Sequence, residues 1–289
     1  MSAPILAVGG TGKLGRLVVA RLIAEGQAVR VISRNAEAAR SLLGPDVEVV
    51  AGNLADIPSL APAFAGVERA FLLTPISAHL ASLQIGFAQA AAAAGIERIV
   101  KISGSDWTIT VPGASRAGAQ HEQVEQELAR LPFRSVSIRP NAWMQVSLPA
   151  LVAIAASGKP LPARSGHAKV SYIDARDIAD VAVNQLLAAD VAPTPLVITG
   201  GEALDIGDVA TRLSGLLGRQ VLIEDNPPPV PFPAHFDAYE AAAVGEFLVQ
   251  IRAGRAAATT DTVQRLLGRK PRTVLGFLAE ALGKATLAA

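Results

Sequence analysis

Short, mostly apolar runs alternate with longer stretches in which apolar residues recur every three or four positions, and the alternation repeats through the first half of the chain. Residues 5–8, 28–33, 46–51, 68–74, 98–103 and 133–140 have the length and branched apolar content of buried strands. Between them, the stripe Leu14, Leu17, Val18 and Leu22, the segment 57–64, the alanine-rich 78–94 and residues 116–131 carry helical spacing. Strands too apolar to face water on either side, each followed by a helix, predict an α/β fold built on a doubly wound parallel sheet. In such a sheet ligands sit at the C-terminal strand edge, where Thr74, Pro75, Ser103 and Gly104 fall.

The rhythm changes near residue 158. Gly158-Lys159-Pro160-Leu161-Pro162 and Ser165-Gly166-His167 are turn-rich. A short strand at 170–173, a helix from Asp174 to about 187 and strands at 196–199 and 221–224 around a helix at 206–217 follow. A proline-rich connection at 226–233 then leads to helices at 234–253, 260–267 and 273–282. Phe232, Phe236, Tyr239 and Phe247 are placed on the inner side of this last group. The expected organisation is a nucleotide-binding domain over 1–157, taking further core strands from 168–200, and a smaller mixed, mainly α lobe over 158–289.

The first strand runs straight into Gly9-Gly10-Thr11-Gly12-Lys13-Leu14-Gly15 and then a helix. Gly10, Gly12 and Gly15 fit G-x-G-x-x-G, and Gly9, Gly12 and Gly15 fit G-x-x-G-x-x-G. Either register supplies a tight turn, a close backbone approach to a pyrophosphate and close packing of helix on strand. The alternative is a glycine-rich turn without a ligand, but strand, turn and helix in this order form the Rossmann-type dinucleotide site, with phosphates on the free amides of the helix N-terminus. At the end of the second strand, where a site for an unphosphorylated ribose places an acid, Ser33-Arg34 has none. A cation there suits a 2′-phosphate, so NADPH is expected over NADH, with Lys13 as a second positive charge; otherwise both are solvated surface residues. Asn53 and Leu54, after the third strand, are candidate adenine contacts, and Asp56 is expected to cap the next helix.

Composition narrows the field. Of 289 residues 51% are hydrophobic, enough for a large core, and the net charge of +1 with no basic run gives no electrostatic footprint for nucleic acid. The chain has no cysteine, which excludes disulfides, thiolate metal sites and a cysteine nucleophile, and no metal-binding spacing occurs. With no signal-like start and no long apolar run, a cytoplasmic protein without membrane contact is expected, as a monomer or homodimer.

The glycine segment, Arg34, Thr74-Pro75, Ser103, Ile138-Arg139-Pro140-Asn141, Tyr172-Ile173-Asp174 with Arg176-Asp177-Ile178-Ala179, and Gly268-Arg269-Lys270-Pro271-Arg272-Thr273 together resemble the NmrA-like atypical short-chain dehydrogenase/reductases. The likeness covers essentially the whole chain and is greatest to the quinone, triphenylmethane-dye and azo-dye reductases of that group. It implies a Rossmann-type fold, an NADPH cofactor, an oxidoreductase activity and an aromatic or quinonoid small-molecule partner held between the sheet edge and the smaller lobe. The wider group also contains non-catalytic redox sensors.

The resemblance stops at a well-known pair. Ordinary short-chain dehydrogenases carry a tyrosine, with a lysine four residues on, in the helix after the fifth strand. Here Ala117 and His121 stand in those places. Ala117, His121, Val124, Leu128 and Leu131 share one helical face, so His121 is aimed at the sheet. It is either a buried structural histidine or a group that bonds a ribose hydroxyl or donates a proton. Loss of the tyrosine argues against alcohol–ketone chemistry. It suits hydride transfer to a quinone, whose reduced form is weakly basic, or to a cationic dye, which needs no acid. Trp107, on the loop after the fifth strand, and Asn141, Trp143 and Met144, after the sixth, are candidate acceptor contacts or plain packing residues. Two further readings stand: an NADP(H)-binding sensor without turnover, and an isomerase- or imine-reductase-like enzyme on a bulky metabolite, with His121 or Tyr172 as the proton donor.

Overall fold

The structure, a computed structural model, describes residues 3–229, 232, 234 and 236–287. Along the chain lie β1 (Ile5–Val8), α1 (Lys13–Ala24), β2 (Val29–Ser33), α2 (Ala36–Leu43), β3 (Val47–Ala51), a 3₁₀ turn at Ile57–Leu60, α3 (Ala61–Phe64), β4 (Arg69–Leu72), α4 (Leu80–Ala93), β5 (Arg98–Ile102), α5 (Asp106–Ile109), α6 (Arg116–Leu128) and β6 (Arg134–Pro140). There follow α7 (Met144–Ser147), α8 (Pro149–Ala156), β7 (Leu161–Pro162), α9 (Ala175–Leu187), β8 (Leu196–Ile198), α10 (Ile206–Leu217), β9 (Ile223–Glu224), α11 (Ala238–Arg252), α12 (Thr262–Leu267) and α13 (Val274–Leu287). Among the described residues no helix is long and apolar enough to cross a membrane.

Two compact units result. The first comprises residues 1–104, 117–139 and 178–196, the second 105–116, 140–177 and 197–289. The chain therefore first changes unit directly after β5 rather than at 157. The main sheet has seven strands in the order β3-β2-β1-β4-β5-β6-β8, with β3 to β6 all paired in parallel. This is the doubly wound Rossmann-type order, and the strand order reverses between β1 and β4, where such sheets take their ligands. Register puts Ile5 opposite both Val29 and Arg69. All four residues of β1 and all five of β5 are buried, as parallel strands covered on both faces must be. On one face Leu6, Val8, Leu72 and Ile99 pack with Phe64, Phe87, Val124 and Leu128. Arg98, at the start of β5, donates to the carbonyls of Gln185, Leu186, Ala188 and Ala189, so a buried cation closes the C-terminal end of α9.

The second unit has its own core, in which Met144, Leu148, Val152, Leu161, Val209, Leu213 and Phe277 meet. Asp205 starts α10 and Asp237 starts α11 with reciprocal capping boxes. Asp177 is fully buried and is bound by the Arg272 amide at 2.7 Å, by the Arg272 guanidinium, and by Arg269 at 2.8 Å.

Three local expectations are corrected. Residues 57–64 open as a 3₁₀ turn because prolines at 58 and 62 interrupt α-helical bonding, and the Asp56 side chain makes no cap bond. Residues 170–173 form no strand, since Val170 bridges Leu204, the Ser171 amide goes to Ala256 and Ile173 bridges Trp143; no single partner runs alongside. The helix expected from 234 starts at Ala238. Parts of the proline-rich connection at 226–233 lie outside the described residues.

Candidate functional site

The turn after β1 settles the glycine register. Gly9 has φ +78°, and a Cβ there would meet the Leu73 carbonyl oxygen at 2.4 Å. The Gly12 amide closes the turn on the Gly9 carbonyl at 3.0 Å. A Cβ on Gly15 would lie 1.9 Å from that same Gly9 oxygen, so α1 can approach β1 only with glycine in its first turn. The working set is thus Gly9, Gly12 and Gly15; Gly10 has a separate constraint, with Val31 methyls at 2.8 and 3.0 Å from its would-be Cβ. Helix α1 has no side-chain cap and no acid in its first turn, and among the described residues the Lys13, Leu14 and Gly15 amides find no acceptor. Free donors at a helix start, with open backbone at the exposed Gly12, fit an anionic pyrophosphate. Gly15→Ala is expected to destabilise the chain by about 1–3 kcal/mol through backbone overpacking, because no rotamer relieves a clash with a carbonyl. Thermal unfolding, with dinucleotide binding measured alongside, checks it.

At the end of β2 the Ser33 hydroxyl donates to the Asn35 carbonyl at 2.9 Å, and Asn35 caps α2 through the Ala38 amide at 3.0 Å. This tight turn presents Arg34, exposed and with no partner among the described residues, as is Lys13. Asn53 is exposed and its side-chain Oδ1 accepts from the Ala55 amide at 3.1 Å, while Leu54 rests on the apolar core. After β4, which lies beside β1 in the sheet, the buried Gln84 donates to the Thr74 hydroxyl at 2.8 Å, which leaves that hydroxyl its own hydrogen to give; Pro75 is exposed beside it.

A polar network that the strand pattern concealed lies at the end of β5. Lys101 is fully buried, its ammonium 2.9 Å from Nδ1 of His121 and 2.9 Å from the Ser103 hydroxyl. Ser103 in turn donates to Glu125 at 2.6 Å, and Arg139 from β6 grips the same carboxylate with Nε at 3.1 Å and with Nη2. Burial pulls Lys101 down to about 7, with Glu125 opposing and Arg139 adding to the fall. Burial, then Lys101 and Arg139, hold His121 well below the usual imidazole range, so the ring is neutral. Lys101 and Glu125 were not singled out in the sequence, and Arg139 entered only within the segment Ile138-Arg139-Pro140-Asn141. The available signal was a lysine two residues from Ser103 on one face of a wholly buried strand, and an acid four residues after His121 on one face of α6.

Candidate residues in the second unit serve one another. The Trp107 indole donates to Asn141 Oδ1 at 2.8 Å and meets Phe247 edge-on at 6.0 Å. Asn141, buried, donates to Ser171 and to the Ala256 carbonyl, so its amide is spent on internal bonds. Trp143 is half-buried at the bridge to Ile173. Met144 and Tyr172 line a cavity of about 530 Å³ with Gly201, Gln264, Lys270 and Pro271. Burial pushes the Tyr172 hydroxyl up to about 12. Asp174 caps α9 through the Arg176 amide at 2.8 Å; burial alone would raise its carboxyl, but bonds from Arg176 and Gln145 outweigh it and hold it low. His121 and Tyr172 thus belong to different units.

The model of the NmrA-like family matches residues 1–234. The chain is 34% identical to an NAD(P)H azoreductase of Xenophilus azovorans over 75% of each chain. It is 31% identical to a (4-alkanoyl-5-oxo-2,5-dihydrofuran-3-yl)methyl phosphate reductase of Streptomyces griseus over 96% of this chain and 97% of the relative. Among solved structures, the NADPH-dependent quinone oxidoreductase of Escherichia coli complexed with NADPH superposes with a TM-score of 0.83 at 23% identity, covering 98% of this chain and 99% of the other.

Proposed function

This chain belongs to the NmrA-like family, and we propose that it is an NADPH-dependent reductase that transfers hydride directly to a flat conjugated acceptor of the quinone, azo or triphenylmethane-dye kind. The observation that carries the reading is Arg34, an exposed guanidinium without a protein partner among the described residues, set on a fixed turn where an acid would select NADH. Gly9, Gly10, Thr11, Gly12 and the amides of Lys13, Leu14 and Gly15 hold the pyrophosphate, and Arg34 with Lys13 holds the 2′-phosphate. Asn53 and Leu54 bound the adenine. Thr74, its hydroxyl oriented by Gln84, stands with Pro75, Ser103, Gly104 and His121 along the C-terminal edge of the same unit, where the nicotinamide half belongs.

Bound there, the cofactor supplies a hydride, and the residues around it contribute position and orientation. The relatives' names support a conjugated acceptor: one reduces azo compounds and another an oxo-dihydrofuran. The test is optical measurement of NADPH and NADH oxidation with a panel of quinones, azo dyes and triphenylmethane dyes, on the wild type and on Arg34→Ala. Acceptor-dependent oxidation favouring NADPH is expected. Loss of the charge-assisted contact shrinks that preference by about tenfold or more. Tight NADPH binding with no acceleration by any acceptor would sink the reductase and leave the sensor.

A further inference from the structure

We infer that Lys101 and His121 form a proton relay that stands in for the missing tyrosine–lysine pair, His121 Nε2 giving a proton to the reduced acceptor and Lys101 resupplying the ring through Nδ1. The inference rests on the reductase reading above and adds an acid to it.

An ammonium group has only donors, so the 2.9 Å contact between Lys101 Nζ and His121 Nδ1 is Lys101 donating. While Lys101 carries its charge, that sets the tautomer: Nδ1 accepts and Nε2 carries the hydrogen. Among the described residues Nε2 has no hydrogen-bond partner, and His121 keeps 7% of its surface exposed. The ring therefore turns one nitrogen to a buried proton source and leaves the other available. Lys101 itself is 0% exposed. A buried ammonium is costly, and an apolar side chain would fill the same strand position without that cost. The groups facing the pair are Ser103 just after β5, Glu125 from α6 and Arg139 from β6, and the single carboxylate among them is already gripped by Arg139. The ammonium proton is thus loosely held near neutrality, where a proton donor works best.

A neutral imidazole cannot release its Nε2 proton alone, because imidazolate is far too basic. It can when Nδ1 takes a proton in the same event. The acceptor gains two electrons as hydride from the nicotinamide cofactor and becomes an anion. The Nε2–H bond breaks as that proton moves to the anion, and an Nζ–H bond of Lys101 breaks as its proton moves to Nδ1. The ring stays neutral and Lys101 is left an amine. A solvent proton at Nε2 and return of the Nδ1 proton to Nζ restore the start.

Two acceptors separate this role from a structural one. Hydride on an azo nitrogen leaves a strongly basic anion on its neighbour, whereas hydride on the central carbon of a cationic triphenylmethane dye leaves a neutral product that needs no proton. In Lys101→Met the ratio of azo to triphenylmethane turnover is expected to fall by about a hundredfold or more, the range of a lost general acid. His121→Gln keeps an acceptor for Lys101 and an N–H donor but cannot pass a proton, so it should shift the ratio likewise and serves if the first variant folds poorly. Equal losses on both acceptors would overturn the relay and leave the reductase standing. No wild-type turnover with either would retire both. Independently of turnover, imidazole NMR of the cofactor-free protein should show His121 neutral in the wild type and titrating at markedly higher pH in Lys101→Met. An unchanged titration would overturn the pairing.

Discussion

Glu125→Ala is expected to lower the stability of the chain by about 3–5 kcal/mol, the cost of breaking a buried ion pair from one side. Its side chain is 13% exposed and that of Arg139 9%, so water cannot replace the lost partner. Three donors converge on this carboxylate: Arg139 Nε, Arg139 Nη2 and the Ser103 hydroxyl. Removing it takes away the carboxylate that Arg139 grips and that offsets the buried charge of Lys101, and takes the acceptor from Ser103. Glu125 also opposes the fall in the affinity of Lys101 for its proton, so in the variant Lys101 titrates below about 7 and the loss is larger at pH 6 than at pH 8. Glu125→Gln, which keeps the volume and one acceptor, should fall between. Glu125→Ala combined with Arg139→Met should recover part of the loss, because the uncompensated charge leaves with its partner. Urea unfolding of the wild type, Glu125→Ala, Arg139→Met and the double variant forms the cycle. A loss under about 1 kcal/mol for the single variant would show that solvent reaches the pair, contrary to its burial.

The strands and the glycine turn between β1 and α1 were legible in the sequence for the same reason: both are local. β1, the glycines and α1 occupy twenty consecutive residues, and the period changes from continuous to helical across them. Even so, the sequence could not choose between Gly9 and Gly10 as the turn residue. That choice depends on Leu73 and Val31, which reach the turn from neighbouring strands. The network at β5 was illegible because its members are distant: His121, Glu125 and Arg139 lie 20, 24 and 38 residues after Lys101, and a lysine inside an apolar run resembles a strand-end residue. Ser103 and His121 were picked out as cofactor contacts, and the Ser103 hydroxyl proves to be engaged on both sides, accepting from Lys101 and donating to Glu125. In the second unit, Asn141 and Trp107 read as acceptor contacts, but a buried amide and an indole N–H must be satisfied wherever they fold, and these two satisfy each other.

Between pH 7 and 10 the stability of the wild type is expected to climb relative to that of Lys101→Met. The sign follows from the direction of the shift. Lys101 holds its proton less tightly in the folded chain, down to about 7, than in the unfolded chain, near the ordinary 10.5. Below 7 both states carry the proton, and the folded state bears the full penalty of a buried cation. Between the two values the unfolded chain binds more protons than the folded one, so stability rises with pH by up to about tenfold in the folding equilibrium for each unit. The penalty is gone above the upper value. Methionine cannot titrate, so the difference between the proteins isolates Lys101 from the other lysines and tyrosines ionising in the same range. Over three units it should reach on the order of 4 kcal/mol, read from urea midpoints at closely spaced pH. A flat difference would mean that Lys101 keeps its proton to pH 10, too firmly to hand it to His121 at neutrality. A climbing one means that the fold spends stability to keep, beside His121, a proton it can release.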